Sequence, residues 1–150
     1  MLGRIILVVL AVGSLGVTSL PQTYETKNFK VGIEYDHSLP MVGGSDRYRH
    51  RNNYDPFFVT VTATAKKNYV ISYLEVSATV DALGEVDFCV TSGSTGSRSM
   101  VFRLASNHSE FLSYSYLAYG IREDEYKKMA NIITLPMINT SSIKCEHSIK

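Results

Sequence analysis

Asp36 and His37 stand side by side. A carboxylate next to an imidazole that titrates near neutrality is the smallest unit that could act as a general base. A hydrolase also needs a nucleophile within reach of that base and a group to orient it. No such partner is identifiable along the chain, so the pair reads as part of a loop. Serines cluster in Ser92-Gly93-Ser94-Thr95-Gly96-Ser97, but the string lacks the Gly-x-Ser-x-Gly pattern. It lies between two strand patterns and does not lead from a strand into a helix, so it reads as a hairpin loop. Glu123-Asp124-Glu125 gathers carboxylates, and acids at the start of a helix are explained by its dipole better than by glycoside hydrolysis. His50, His108 and His147 are scattered without metal-ligand spacing. The expectation is a protein that is not an enzyme, with no catalytic residue, metal site or cofactor.

The most basic stretch, Arg47-Tyr48-Arg49-His50-Arg51, alternates with polar and aromatic residues between Asp46 and Asp55. It reads as a solvated strand face, with an anion-binding patch as the alternative. The chain has ten tyrosines and no tryptophan. Tyr114, Tyr116 and Tyr119 read as core and cross-strand packing, with a ligand-lined face as the other option.

The elements that position these residues are mostly strands. Phe29, Val31, Ile33 and Tyr35 alternate with polar residues, as one face of a strand does. Val59, Val61 and Ala63 oppose Thr60, Thr62 and Thr64, whose branched carbons favour the extended chain. Val70, Leu74, Val76, Ala78 and Val80 share a face, as do Val86, Phe88 and Val90 after the turn at Leu83-Gly84-Glu85. Met100, Phe102 and Leu104 follow, then Leu112, Tyr114, Tyr116 and Ala118. Residues 37–45 hold two glycines and a proline and read as a loop. Six or seven short strands separated by turns predict an all-β antiparallel sandwich or barrel. A short helix is predicted from Arg122 to Ile132, with Glu123–Lys127 and Asp124–Lys128 at the supporting i,i+4 spacing.

The first residues supply the address. Arg4 precedes an apolar run from Ile5 to Leu15, and small residues lead to Ser19 before Leu20-Pro21. That is the layout of a secretory signal peptide over residues 1–19. The run is too short to span a bilayer, so no membrane association is expected after cleavage. The predicted organisation is a leader, a secreted β-domain over residues 20–120, and a C-terminal extension over residues 121–150. Without Arg4, the remainder carries 14 Lys and Arg against 14 Asp and Glu. That balance excludes nucleic acid as a partner, because phosphate binding needs a clustered positive excess. In an oxidising compartment the only two cysteines, Cys89 and Cys145, are expected to form one disulfide, stapling the tail across the outer surface of the sheet. Asn107-His108-Ser109 and Asn139-Thr140-Ser141 are glycosylation sequons that fit the same compartment.

Several segments share a cadence with a known family. They are Ile71-Ser72-Tyr73-Leu74-Glu75-Val76, Gly84-Glu85-Val86, Val90 to Ser97, Met100 to Ser106, Tyr119-Gly120 and, upstream, Val42-Gly43-Gly44-Ser45-Asp46-Arg47. Over roughly Lys30 to Gly120 the chain resembles the insect family named after multiprotein bridging factor two, a transcription activator, many of whose members are described as salivary or secreted peptides. The chain departs from that pattern at Ser106-Asn107-His108-Ser109 and in the tail beyond Gly120. The family name implies a coactivator that binds a basal transcription factor. The leader directs this chain elsewhere, because export removes it from the nucleus whatever its fold. The resulting expectation is a secreted, non-enzymatic β-domain that binds an extracellular protein or small ligand in an insect fluid.

Overall fold

The computed structural model describes residues 21–50, 55–132 and 145. The predicted leader and Asn139 lie outside them. Among the described residues seven strands run in chain order, β1 (Tyr24–Gly32), β2 (Leu39–Arg49), β3 (Phe57–Thr64), β4 (Tyr69–Asp81), β5 (Glu85–Ser92), β6 (Ser99–Asn107) and β7 (Phe111–Arg122), followed by helix α1 (Glu123–Ile132). They form two antiparallel sheets, one ordered β1-β4-β7-β2 and the other β3-β6-β5. The fold is an all-β sandwich.

Alternation explains why these segments pair as they do. In β3, Phe57, Val59 and Ala63 are buried while Thr60, Thr62 and Thr64 face water. In β6, Met100, Phe102 and Leu104 are buried, and in β4 Leu74, Val76, Ala78 and Val80 are. Aromatic side chains stitch the two sheets together across the interior. Phe29 of β1 stacks on Phe88 of β5 at 5.0 Å, Phe88 packs on Phe102, and Phe102 meets Tyr116 of β7 edge-on at 5.5 Å. Phe102 is fully buried, and truncating such a residue removes about 3–5 kcal/mol.

Two segments differ from the sequence reading. Residues 39–45 form the first part of β2 and not a loop. As an edge strand, β2 tolerates Pro40 beside a bulge, where no ladder hydrogen bond is required. Its glycines are there for space, since a Cβ on Gly43 would sit 2.9 Å from Tyr116 O and one on Gly44 3.0 Å from the Tyr116 ring. The strand expected through Tyr35 instead ends at Gly32, which has φ +92° and leaves no room for a Cβ beside Ser72 O. Opposite it, β4 bulges between Ile71 and Tyr73. Ser72 is buried there, with its hydroxyl 3.0 Å from Ser38 Oγ and 3.4 Å from Tyr119 O.

Helix α1 begins one residue after the predicted start. Glu123 N donates to Asn68 O, and Lys127 pairs with Glu123 at 3.2 Å as the spacing implied. Asp124 pairs with Arg122 at 3.3 Å rather than with Lys128, because Arg122 ends the preceding strand within easy reach. Cys89 and Cys145 form a disulfide with Cα atoms 5.2 Å apart. Cys89 lies on the outer face of β5 with Asp87 and Thr91, opposite buried Val86 and Val90. Cys145 N donates to Val90 O, so backbone from the tail covers part of the β5 edge.

Candidate functional site

The outer face of the four-stranded sheet carries the side chains that alternate away from the core. Register places Thr26 opposite Thr79, Thr79 opposite Ser113, and Ser113 opposite Arg47, a straight row across β1, β4, β7 and β2. Arg49 stands opposite Phe111 one step along. His50 N donates to Glu110 O, which makes Arg49–Phe111 a non-hydrogen-bonded pair, the arrangement in which facing side chains come closest.

Around this row lies a groove of about 520 Å³ lined by Tyr24, Arg47, Arg49, Thr79, Phe111 and Ser113. Its volume falls within the range of small-ligand clefts. Tyr24 and Phe111 meet at 5.4 Å with their planes at 59°, and the Arg47 guanidinium lies 5.6 Å from the centre of the Phe111 ring. That placement gives Arg47 a cation–π contact and holds its donors over the groove. Among the described residues neither Arg47 nor Arg49 forms an ion pair.

Two carboxylates flank this region, Asp81 opposite Tyr24 and Asp46 beside Arg47, and both are hydrogen-bonded. Asp81, at the end of β4, accepts from Gln22 Nε2 at 3.1 Å, Ser109 Oγ at 3.1 Å and Glu110 N at 2.8 Å. Asp46 alternates to the opposite side of β2, where Tyr48 Oη donates to it at 3.0 Å. That hydrogen bond to a carboxylate pushes the Tyr48 phenol up to about 12. At the far end of the face Lys30 pairs with Glu75 at 3.4 Å, and Tyr73 Oη donates to the same carboxylate at 2.9 Å. Hydrogen bonding to Tyr73 is the main cause holding the Lys30 ammonium above its ordinary value, and burial raises the Tyr73 phenol.

A scan of protein families, curated proteins and solved structures finds no match to this chain.

The other sequence-nominated residues do not come together. Asp36 and His37 are exposed in the β1–β2 connection and make no hydrogen bond or ion pair among the described residues. In the β5–β6 hairpin the Ser97 hydroxyl is spent on the turn, accepting from Ser94 N and donating to Ser99 O. Glu123, Asp124 and Glu125 occupy the first turn of α1. His50 stacks on Phe57 at 4.0 Å, and His108 stands 4.0 Å from Glu85. No group of three or more His, Cys, Asp or Glu suited to a metal gathers among the described residues, and no helix among them is long and apolar enough to cross a membrane. Tyr114 and Tyr116 pack against the core, while Tyr119 meets Tyr73 at 5.8 Å beyond the bulge.

Asn107, the first residue of its sequon, is exposed at the end of β6. Ser109, the third, is buried, and its hydroxyl accepts from Asp81 N at 3.0 Å and Phe111 N at 3.2 Å while reaching Phe111 O at 2.6 Å.

The groove itself was missed by sequence reasoning. Arg47 and Arg49, two apart in an extended stretch, do signal two arginines on one face. Tyr24, Thr79 and Phe111 join them only through strand order.

Proposed function

We propose that this protein is a small secreted β-domain that acts by binding a ligand in an extracellular fluid, and not by catalysis. The groove on the outer face of the four-stranded sheet carries this reading. Two arginines that form no ion pair among the described residues, beside two aromatic rings, are recognition chemistry, with donors and an apolar surface but no nucleophile–base pair among the lining residues. The Cys89–Cys145 disulfide supports an oxidising compartment, in keeping with a leader over residues 1–19. The exposed position of Asn107 supports its use as a glycosylation acceptor, and the second sequon places Asn139 in the same class. The resemblance to the insect multiprotein bridging factor two family fits a secreted member of that group.

The test is expression in insect cells with the native leader, followed by N-terminal sequencing and native mass spectrometry of the protein from medium. The expected result is a mature chain starting near Leu20, together with a retained ligand when the protein is purified gently from its source fluid. Full-length reduced protein confined to cells overturns the secreted half of the proposal. Repeated recovery of ligand-free protein counts against the binding half.

A further inference from the structure

We propose that the ligand of this groove is an anionic saccharide, whose carboxylate or sulfate is held by Arg47 and Arg49 while a sugar ring lies against Phe111 and Tyr24. The inference rests on the binding reading above and names the chemistry of that site.

Charge comes first. Arg47 and Arg49 are on the same side of β2, and at 3.3–3.4 Å rise per residue their Cα atoms are roughly 7 Å apart. Each guanidinium presents a planar fork that matches a carboxylate or a sulfate with two parallel hydrogen bonds. None of the six lining residues is acidic. The Asp81 carboxylate, opposite Tyr24 on this face, is hydrogen-bonded by Gln22, Ser109 and Glu110 and forms no ion pair with either arginine, and Asp46 is held on the other side of the strand by Tyr48. The two arginine charges sit together on the β2 side of the groove, in a chain whose formal net charge is only +1. Two arginines in so neutral a protein suit a ligand with a few discrete charges. A nucleic acid, bound through many phosphates at once, is poorly served.

Shape and the remaining surface favour a sugar over a simple anion or a lipid. The hydrogen-bearing face of a pyranose is apolar, and the tilted Tyr24–Phe111 pair offers it two ring surfaces. Tyr24 is 48% exposed, so that surface is open to a ligand. Around the rings the face is covered with small hydroxyl and amide groups. Thr26 Oγ1 lies 2.8 Å from Thr79 Oγ1, Ser77 Oγ donates to Asn28 Oδ1 at 2.6 Å, and Ser45 and Ser115 complete the next row toward β2. Such groups both donate and accept, as the hydroxyls of a sugar chain do. An acyl chain would find no enclosed apolar cavity there. That row of Asn28, Ser77, Ser115 and Ser45 spans all four strands beside the groove.

The test is isothermal titration of the full secreted chain with a heparin hexasaccharide, a trigalacturonate, maltohexaose and inorganic sulfate. At least one of the two anionic saccharides is expected to bind, and which one does separates a sulfate from a carboxylate ligand. Arg47→Gln and Arg49→Gln should each weaken that binding roughly tenfold, the loss of one charge-assisted interaction. Phe111→Leu should weaken it as well, and raising salt should reduce it. Arg103→Gln, on the outer face of the other sheet, serves as the control and should bind as wild type does. Far-UV circular dichroism verifies that each variant is folded.

Equal binding of maltohexaose, sulfate binding as tightly as the saccharides, or full binding by both arginine variants would each overturn the inference. So would failure of both anionic saccharides to bind. A ligand retained by the source protein in native mass spectrometry, combined with no saccharide binding, refutes the sugar and leaves the binding function standing.

Discussion

Replacing Ser109 with Ala should destabilise the fold well beyond what removal of its sequon would do. The last paired residues of the β4–β7 ladder are Val80 and Leu112. Beyond them the Ser109 hydroxyl takes the place of the next rung, accepting from both Asp81 N and Phe111 N. Ser109 is only 2% exposed, so water reaches these groups poorly. A buried donor left without its acceptor costs about 1–3 kcal/mol. Two donors, partly rescued by relaxation of a surface turn, give about 3 kcal/mol. For a domain of this size that is about 10 °C in Tm. Asn107→Gln abolishes the same sequon but leaves the hydroxyl in place, so it isolates the structural contribution. Both variants are to be compared with wild type by urea denaturation and thermal melting, followed by far-UV circular dichroism since the chain has no tryptophan. A difference between Ser109→Ala and Asn107→Gln below about 0.5 kcal/mol would refute the reasoning, because it would mean that the hydroxyl is replaced without penalty.

Two further perturbations have expected outcomes. The Tyr48 phenol, pushed up from 10.0 to about 12 chiefly by its hydrogen bond to Asp46, favours the folded state while it is protonated. That contribution is fully present below pH 10.0 and disappears as pH rises toward 12, so the stability difference between wild type and Tyr48→Phe should shrink across that window. A wild-type phenol titration at 295 nm that lacks a late component absent from Tyr48→Phe would contradict it. Replacing Cys89 and Cys145 together by Ser removes a cross-link between residues 56 apart, worth up to about 4 kcal/mol through chain entropy. Intact-mass measurement of wild type should show two thiols appearing together on reduction, and a double variant as stable as the oxidised protein would remove the assigned role.

The clearest elements in the sequence were those whose two faces differ at every position. Thr60, Thr62 and Thr64 against Val59, Val61 and Ala63 announce β3, and the buried set in β6 is equally regular. Placement of Cys89 on the outer face followed from the same alternation. What alternation could not reveal depended on other parts of the chain. Gly43 and Gly44 look like loop residues until Tyr116 and Leu117 are seen against them, and Gly32 ends β1 because Ser72 of another strand leaves no room. The groove is more remote still. Arg47 and Arg49 were legible as one exposed face, but Tyr24, Thr79 and Phe111 reach them through the order β1-β4-β7-β2, which no local pattern encodes.

That strand order also sets a timetable. β1 and β2 are consecutive in the chain yet lie at opposite edges of their sheet, held apart by β4 and β7. Tyr24 and the two arginines therefore become neighbours of one site only when β7, the last of the described strands in the chain, slots between its partners. A chain halted just before Phe111 already contains four of the six lining residues and yet has no place to bind. Competence arrives in a single step, when β7 takes its place.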